Sequence, residues 1–97
     1  MLVLLKMLVE KKITIKNRLG LHARPASKFA QLASTFNCDI TLVRDGKSVD
    51  GKSILEVLTL SCPKDTVLTI RAEGKDAKEA VSALKILVEN GFGEMGL

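Results

Sequence analysis

Lys12-Ile13-Thr14-Ile15-Lys16-Asn17-Arg18-Leu19-Gly20-Leu21-His22-Ala23-Arg24-Pro25-Ala26 changes its period half-way along, and that change sets the fold. From Lys12 to Lys16 polar and apolar residues alternate, the pattern of a half-buried strand, which extends back to Leu8. Asn17-Arg18-Leu19-Gly20 breaks the alternation. Beyond His22 the apolar residues Ala26, Phe29, Ala30 and Ala33 recur at helical spacing and predict a helix from about Ala23 to Thr35. Pro25 stands where that helix begins, a place where its missing N–H costs nothing.

Working outward, residues 38–44 alternate again, with Cys38, Ile40 and Leu42 on one face. Asp45-Gly46 is a hairpin signal, because both positions accept left-handed backbone angles, and Lys47–Val49 would be the return strand. Ser53 with Glu56 three residues later forms a capping box: the hydroxyl meets a first-turn N–H and the carboxylate reaches back. The helix it opens should run about two turns. Pro63-Lys64-Asp65 is a turn, Thr66–Ala72 a strand, and Ala77, Ala80, Val81, Leu84, Leu87 and Val88 mark one face of a last helix that Asn90-Gly91 ends. The order is βαββαβα. Four short strands cannot build two packed sheets, whereas three amphipathic helices can cover one face of a single sheet. The expected fold is therefore α/β (α+β), an open-faced sandwich of a four-stranded antiparallel sheet with three helices on one face. Its 97 residues suit one domain over 1–97, with no repeat or linker.

Composition narrows the function. The core must be aliphatic, since Phe29, Phe36 and Phe92 are the only aromatic residues. The formal charge is +4, but the basic residues are scattered, with no arginine-rich arm and no aromatic stacking platform, so no nucleic-acid partner is expected. A mild positive charge would instead steer an acidic protein partner toward the surface. Cys38 and Cys62 lack the spacing of a metal site and read as reduced, structural thiols; neither metal nor cofactor is expected. The apolar opening Met1–Val9 is interrupted by Lys6 and too short to cross a bilayer. It also lacks the basic start and cleavage site of an export signal, so no membrane insertion and a cytoplasmic location are expected. Residues 1–7 read as an N-terminal extension, with Met7 an alternative start, or as a prolongation of the first strand.

The chemistry concentrates at His22, the one histidine of the chain. A neutral imidazole is a nucleophile, and here it opens a helix whose first amides, those of Ala23 and Arg24, have no acceptor within the helix. Such amides attract anions, and Arg24 adds a cationic fork. Taken alone, a single histidine in a small domain is an ordinary surface group, and Arg24 a solvated cation. Together with Gly20 and Pro25 they form a candidate site for an imidazole that accepts a phosphoryl group. Ser53 is first of all a helix cap.

The run Asn17-Arg18-Leu19-Gly20-Leu21-His22-Ala23-Arg24-Pro25-Ala26 closely resembles the active-site signature of the HPr family, the histidine-containing phosphocarrier proteins of the bacterial phosphoenolpyruvate:sugar phosphotransferase system. Gly46-Lys47-Ser48-Val49-Asp50-Gly51-Lys52-Ser53-Ile54-Leu55 resembles that family's second motif, and the likeness extends over roughly residues 8–94, including Gly91-Phe92-Gly93-Glu94. The resemblance implies that His22 takes a phosphoryl group on Nδ1 from phosphorylated Enzyme I. It would pass the group to a sugar-specific component of the EIIA type, with Arg24 neutralising the phosphoryl oxygens and Nε2 left free or protonated. It implies a carrier rather than an enzyme acting by itself. Ser53 would be a regulatory site for a dedicated serine kinase/phosphorylase, and Ile54, Leu55 and Leu58 a docking surface beside the active site. Ile54 and Leu58, four apart, share a helical face. Leu19, Glu56 and Asp65 depart from the commonest pattern of the sugar-transport members. An alternative reading within the family is therefore a regulatory interaction protein for carbon or nitrogen control, acting through its phosphorylation state. In either case a monomer is expected.

Overall fold

The computed structural model describes residues 7–94. All of the expected N-terminal extension over residues 1–7 except Met7 lies outside them. The elements are β1 (Leu8–Thr14), α1 (Ala23–Ala33), β2 (Asp39–Arg44), β3 (Lys47–Asp50), α2 (Ile54–Leu58), β4 (Val67–Glu73) and α3 (Ala77–Glu89), followed by a 3₁₀ turn at Gly91–Gly93. The strands lie in the order β1-β4-β2-β3, each antiparallel to its neighbour. The register follows the alternation in the sequence. Ile13 faces Leu68, Ile40 faces Ala72, and Leu42 sits between Ile70 and Val49, all of them buried. The intervening Glu10, Lys12 and Arg71 remain exposed on the other face. One side of the sheet is thus apolar and the other polar, and only the apolar side needs a cover. Ala26, Phe29, Ala30 and Ala33 of α1, Val57 of α2, and Ala77, Ala80, Val81, Leu84 and Val88 of α3 supply it. The open-faced sandwich read from the sequence is the observed fold.

Several boundaries move for local reasons. β1 ends at Thr14 rather than Lys16, although Ile15 stays fully buried and still bonds Thr66 O and the Asp65 amide. α1 stops at Ala33, not Thr35. There the hydroxyls of Ser34 and Thr35 bond back to Ala30 O and Leu32 O, and the Thr35 amide turns to the carbonyl three residues back. α2 is five residues long, shorter than two turns, and Thr59 caps its carbonyl end. Half of the capping box forms as expected, with Ser53 Oγ accepting from the Glu56 amide at 3.2 Å. The Glu56 carboxylate passes Ser53 and accepts from the Asp50 amide instead, at 3.1 Å. In the Asp45-Gly46 hairpin both residues have positive φ, 48° and 81°.

Asp76 ties two elements that are distant in sequence. Its carboxylate accepts from the amides of Asn37 at 2.8 Å and Cys38 at 2.9 Å, joining the start of β2 to the start of α3. The Asn37 hydrogen bond, with further ones from Cys38, outweighs desolvation and holds Asp76 below its ordinary value of 3.8. The unfolded chain therefore binds this proton more readily than the native one. The stabilisation from Asp76 is complete above the unfolded value and is lost as pH falls through the lower native one. In urea titrations the gap between the native protein and Asp76→Asn should be constant above roughly pH 5 and close below about pH 4. A gap independent of pH would contradict this. The same carboxylate and burial push the Cys38 thiol up to about 11, burial being the larger cause. Burial also raises Cys62, against the pull of Arg44. Both cysteines are free and buried, so neither presents a reactive thiolate.

Candidate functional site

Asn17 begins the site. It is fully buried in the loop after β1, and its Nδ2 donates to Gly20 O at 2.7 Å and to Glu94 Oε1 at 3.1 Å. The chain then turns through Gly20 at φ 73° and presses against the segment that follows α2. A Cβ on Gly20 would lie 2.3 Å from Cys62 O and 2.8 Å from Pro63 Cα, so only glycine fits. The next amide, of Leu21, donates to Cys62 O at 2.8 Å. The carbonyls of Leu60 and Ser61 in that segment are in turn held by Arg44 Nη1, reaching across from β2.

This loop delivers His22 as the N-cap of α1, in extended backbone geometry and with no side chain capping the helix. The amides of Ala23 and Arg24 have no acceptor within the helix, because Leu19 and Gly20 precede it, and Pro25 has no N–H. Pro25 is the third helical residue rather than the first, still inside the turn where a missing donor is tolerated. His22 is about one-third exposed; Nε2 lies 3.3 Å from Glu94 Oε1, and among the described residues Nδ1 has no hydrogen-bond partner. Arg24 is two-thirds exposed, with Nη1 3.9 Å from Glu94 Oε2. Arg18, Leu19, His22, Arg24 and Glu94 line an open pocket of about 210 Å³. Two arginines and the imidazole thus share one pocket with the Glu94 carboxylate, beside a helix start of the kind that attracts anions.

The family model described as "PTS HPr component phosphorylation site" matches residues 9–90. The chain belongs to the HPr family. A phosphocarrier protein HPr of Cupriavidus necator is 40% identical over 87 residues, which are 90% of this chain and 98% of that protein. The phosphocarrier protein HPr of Vibrio cholerae serotype O1 is 46% identical over 80 residues, covering 82% of this chain and 94% of its own. Among solved structures, HPr-C-His from Thermoanaerobacter tengcongensis matches with a TM-score of 0.85 at 45% identity, over 89% of this chain and 97% of that one. The chain is thus an HPr-family phosphocarrier of the phosphotransferase system, with the open-faced sandwich of its relatives.

Within this HPr fold, His22 and Arg24 share one pocket, and Ser53 lies outside it. Ser53 caps α2, which packs against α1. The three apolar residues expected to dock partners differ in exposure: Leu55 is 78% and Ile54 39% exposed, whereas Leu58 is partly buried against the core. Leu19 in the His22 loop is 68% exposed and adds to the apolar surface around the imidazole. No local pattern in the sequence marks Asn17 or Glu94 as a residue of this pocket. Glu94 is 72 residues from His22 along the chain, and its one local signal is that it closes the glycine-rich run Gly91-Phe92-Gly93. Among the described residues no cluster of three or more metal-ligating side chains occurs, and no helix is long and apolar enough to cross a membrane.

Proposed function

We propose that this chain is a single cytoplasmic HPr domain that accepts a phosphoryl group on Nδ1 of His22 from phosphorylated Enzyme I. It delivers the group to a sugar-specific EIIA-type component. The observation that carries this reading is the placement of a one-third exposed imidazole at an uncapped helix start, with Nε2 facing Glu94 and Nδ1 unpaired among the described residues. The Ala23 and Arg24 amides and the Arg24 guanidinium suit the oxygens of a phosphoryl group bonded to that nitrogen. The site is open and its cations few, which fits a carrier that must release what it accepts. The transfer machinery is completed by the donor and acceptor proteins, so the chain is a carrier and not an enzyme by itself.

Ser53 is the proposed regulatory site for a serine kinase/phosphorylase. Its hydroxyl already sits at a helix start, where added negative charge meets first-turn amides, so modification would change the electrostatics of docking and leave the fold intact. Ile54 and Leu55, with the flank of Leu58, are the proposed docking surface of a monomeric carrier. Intact-mass spectrometry after incubation with Enzyme I and phosphoenolpyruvate tests the central reading. One phosphoryl group that is lost in acid is the expected result. No gain with a cognate Enzyme I that charges another carrier would overturn it and leave the Ser53-based role.

A further inference from the structure

Asn17-Arg18-Leu19-Gly20 is a turn pinned at both ends. The Gly20 amide donates to Asn17 O at 3.1 Å, and Asn17 Nδ2 donates to Gly20 O at 2.7 Å. Asparagine first and glycine fourth is the composition such a turn favours. Asn17 is fully buried and Gly20 is wedged against Cys62 and Pro63, so the two residues between them, Arg18 and Leu19, are presented from a fixed backbone. Arg18 is exposed, lines the His22 pocket together with Arg24, and forms no ion pair among the described residues. The neighbouring cations are already engaged. Arg24 Nη1 lies 3.9 Å from Glu94 Oε2, and Lys28 Nζ donates to Phe92 O at 2.7 Å. Burial pushes the Glu94 carboxyl up, but hydrogen bonds from His22 and Asn17 and the charges of His22 and Arg24 outweigh it, so Glu94 is ionised and offsets part of the Arg24 charge. Arg18 is thus the guanidinium of this pocket whose charge no described carboxylate answers.

Building on the reading of His22 as the phosphoryl acceptor, we propose that Arg18 is a second phosphoryl-binding residue, which takes up the oxygens of the group once it is bonded to the imidazole. A phosphoryl group carries close to two negative charges at neutral pH, and the carboxylate in the same pocket opposes them. A cation that is not already matched is what the pocket needs, and Arg18 supplies it from a rigid turn. Its planar fork fits two phosphoryl oxygens and never gives up a proton, so it acts through charge and hydrogen bonds alone. In the step itself the Nδ1 lone pair forms the new bond to phosphorus. The bond from phosphorus to the donor's leaving atom breaks, and that electron pair stays with the donor. Arg18 touches only the oxygens. Because the contact exists in the phosphorylated protein and not in the free one, it lowers the energy of the charged carrier and so sets how readily the group leaves again. An exposed side chain over an open pocket holds the group modestly, as a carrier requires.

The equilibrium of phosphoryl exchange between Enzyme I and this protein tests the assignment, measured by intact mass on native protein, Arg18→Gln and Arg18→Lys. An equilibrium constant compares the free and phosphorylated chains and is blind to how well the two proteins dock, so a merely steering or structural role would not move it. Arg18→Gln should shift the equilibrium about fivefold toward phosphorylated Enzyme I, the scale of one charge-assisted contact at an open site. Arg18→Lys keeps the charge but not the fork and should shift it about twofold. Both variants should keep the native urea midpoint, because the side chain is exposed at the tip of a turn that Asn17 and Gly20 hold. A native equilibrium constant in Arg18→Gln would overturn the proposal. So would a change confined to KM for Enzyme I, which would reduce Arg18 to steering the donor. Failure of the native protein to accept a phosphoryl group is a different result: it would strike the reading of His22 as acceptor, and this role of Arg18 with it.

Discussion

His22→Ala should be a folded protein that accepts no acid-labile phosphoryl group. The side chain makes no cap hydrogen bond and is about one-third exposed, so α1 does not depend on it. What the substitution removes structurally is one partner of Glu94, whose carboxylate keeps Asn17 and the nearby Arg24. Leaving a buried acceptor less satisfied costs on the order of 1 kcal/mol, visible as a small drop in the urea midpoint. The chemical effect is far larger. Loss of a nucleophile for which no other group substitutes should lower the rate of phosphoryl uptake by at least about 10³-fold. Intact mass at neutral and acidic pH reads this directly. An acid-labile phosphoryl group on His22→Ala would place the acceptor elsewhere. An acid-stable one would indicate Ser53 modification instead.

The second large effect lies two residues before the histidine. Gly20→Ala meets two obstacles, a φ of 73° and a backbone carbonyl 2.3 Å from the new Cβ. Gly46→Ala meets only the first: its φ is 81°, but nothing lies within 4 Å of the added carbon. The left-handed conformation by itself costs about 1–2 kcal/mol for alanine. Gly46→Ala should lose that amount and Gly20→Ala about 3–4 kcal/mol, since neither Cys62 nor Pro63 can yield without moving its backbone. The functional consequence differs as well. Gly20 lies against the carbonyl that accepts the Leu21 amide, so forcing them apart shifts the residue that leads into His22. Phosphoryl uptake should fall in Gly20→Ala under conditions where the protein is still folded, and stay native in Gly46→Ala. Equal stability losses at the two glycines would mean that the Gly20 contact is relaxed at little cost.

Much of this architecture is local, and local patterns are legible in a sequence. The alternation through Ile13 and Ile15, and again through Ile40 and Leu42, follows from side chains pointing to opposite faces of a strand. The helical repeat of Ala26, Phe29, Ala30 and Ala33 follows from 3.6 residues per turn. Asp45-Gly46 specifies its turn through backbone angles that few other residue pairs accept. Where competing hydrogen bonds decide, the reading is less sharp. Ser34 and Thr35 end α1 early by bonding back to its carbonyls, and Glu56 chooses the Asp50 amide over that of Ser53. In both cases several partners are within reach, and the choice depends on small differences in geometry.

The candidate site divides along the same line. His22, Arg24 and the open amides of Ala23 and Arg24 lie within three residues and share one helix start, so the chain order alone places an imidazole and a guanidinium beside open helix amides. Asn17 is a loop polar residue by pattern, and Glu94 an acid near the end of the chain. Each gains its place when the tail after α3 folds back on α1, and the loop after β1 closes over Cys62 and Pro63. Helices and turns report themselves through periodicity and backbone preference, which act over a few residues. The tertiary fold alone decides which nitrogen of His22 faces a carboxylate, because that contact spans 72 residues and depends on burial that no local pattern encodes.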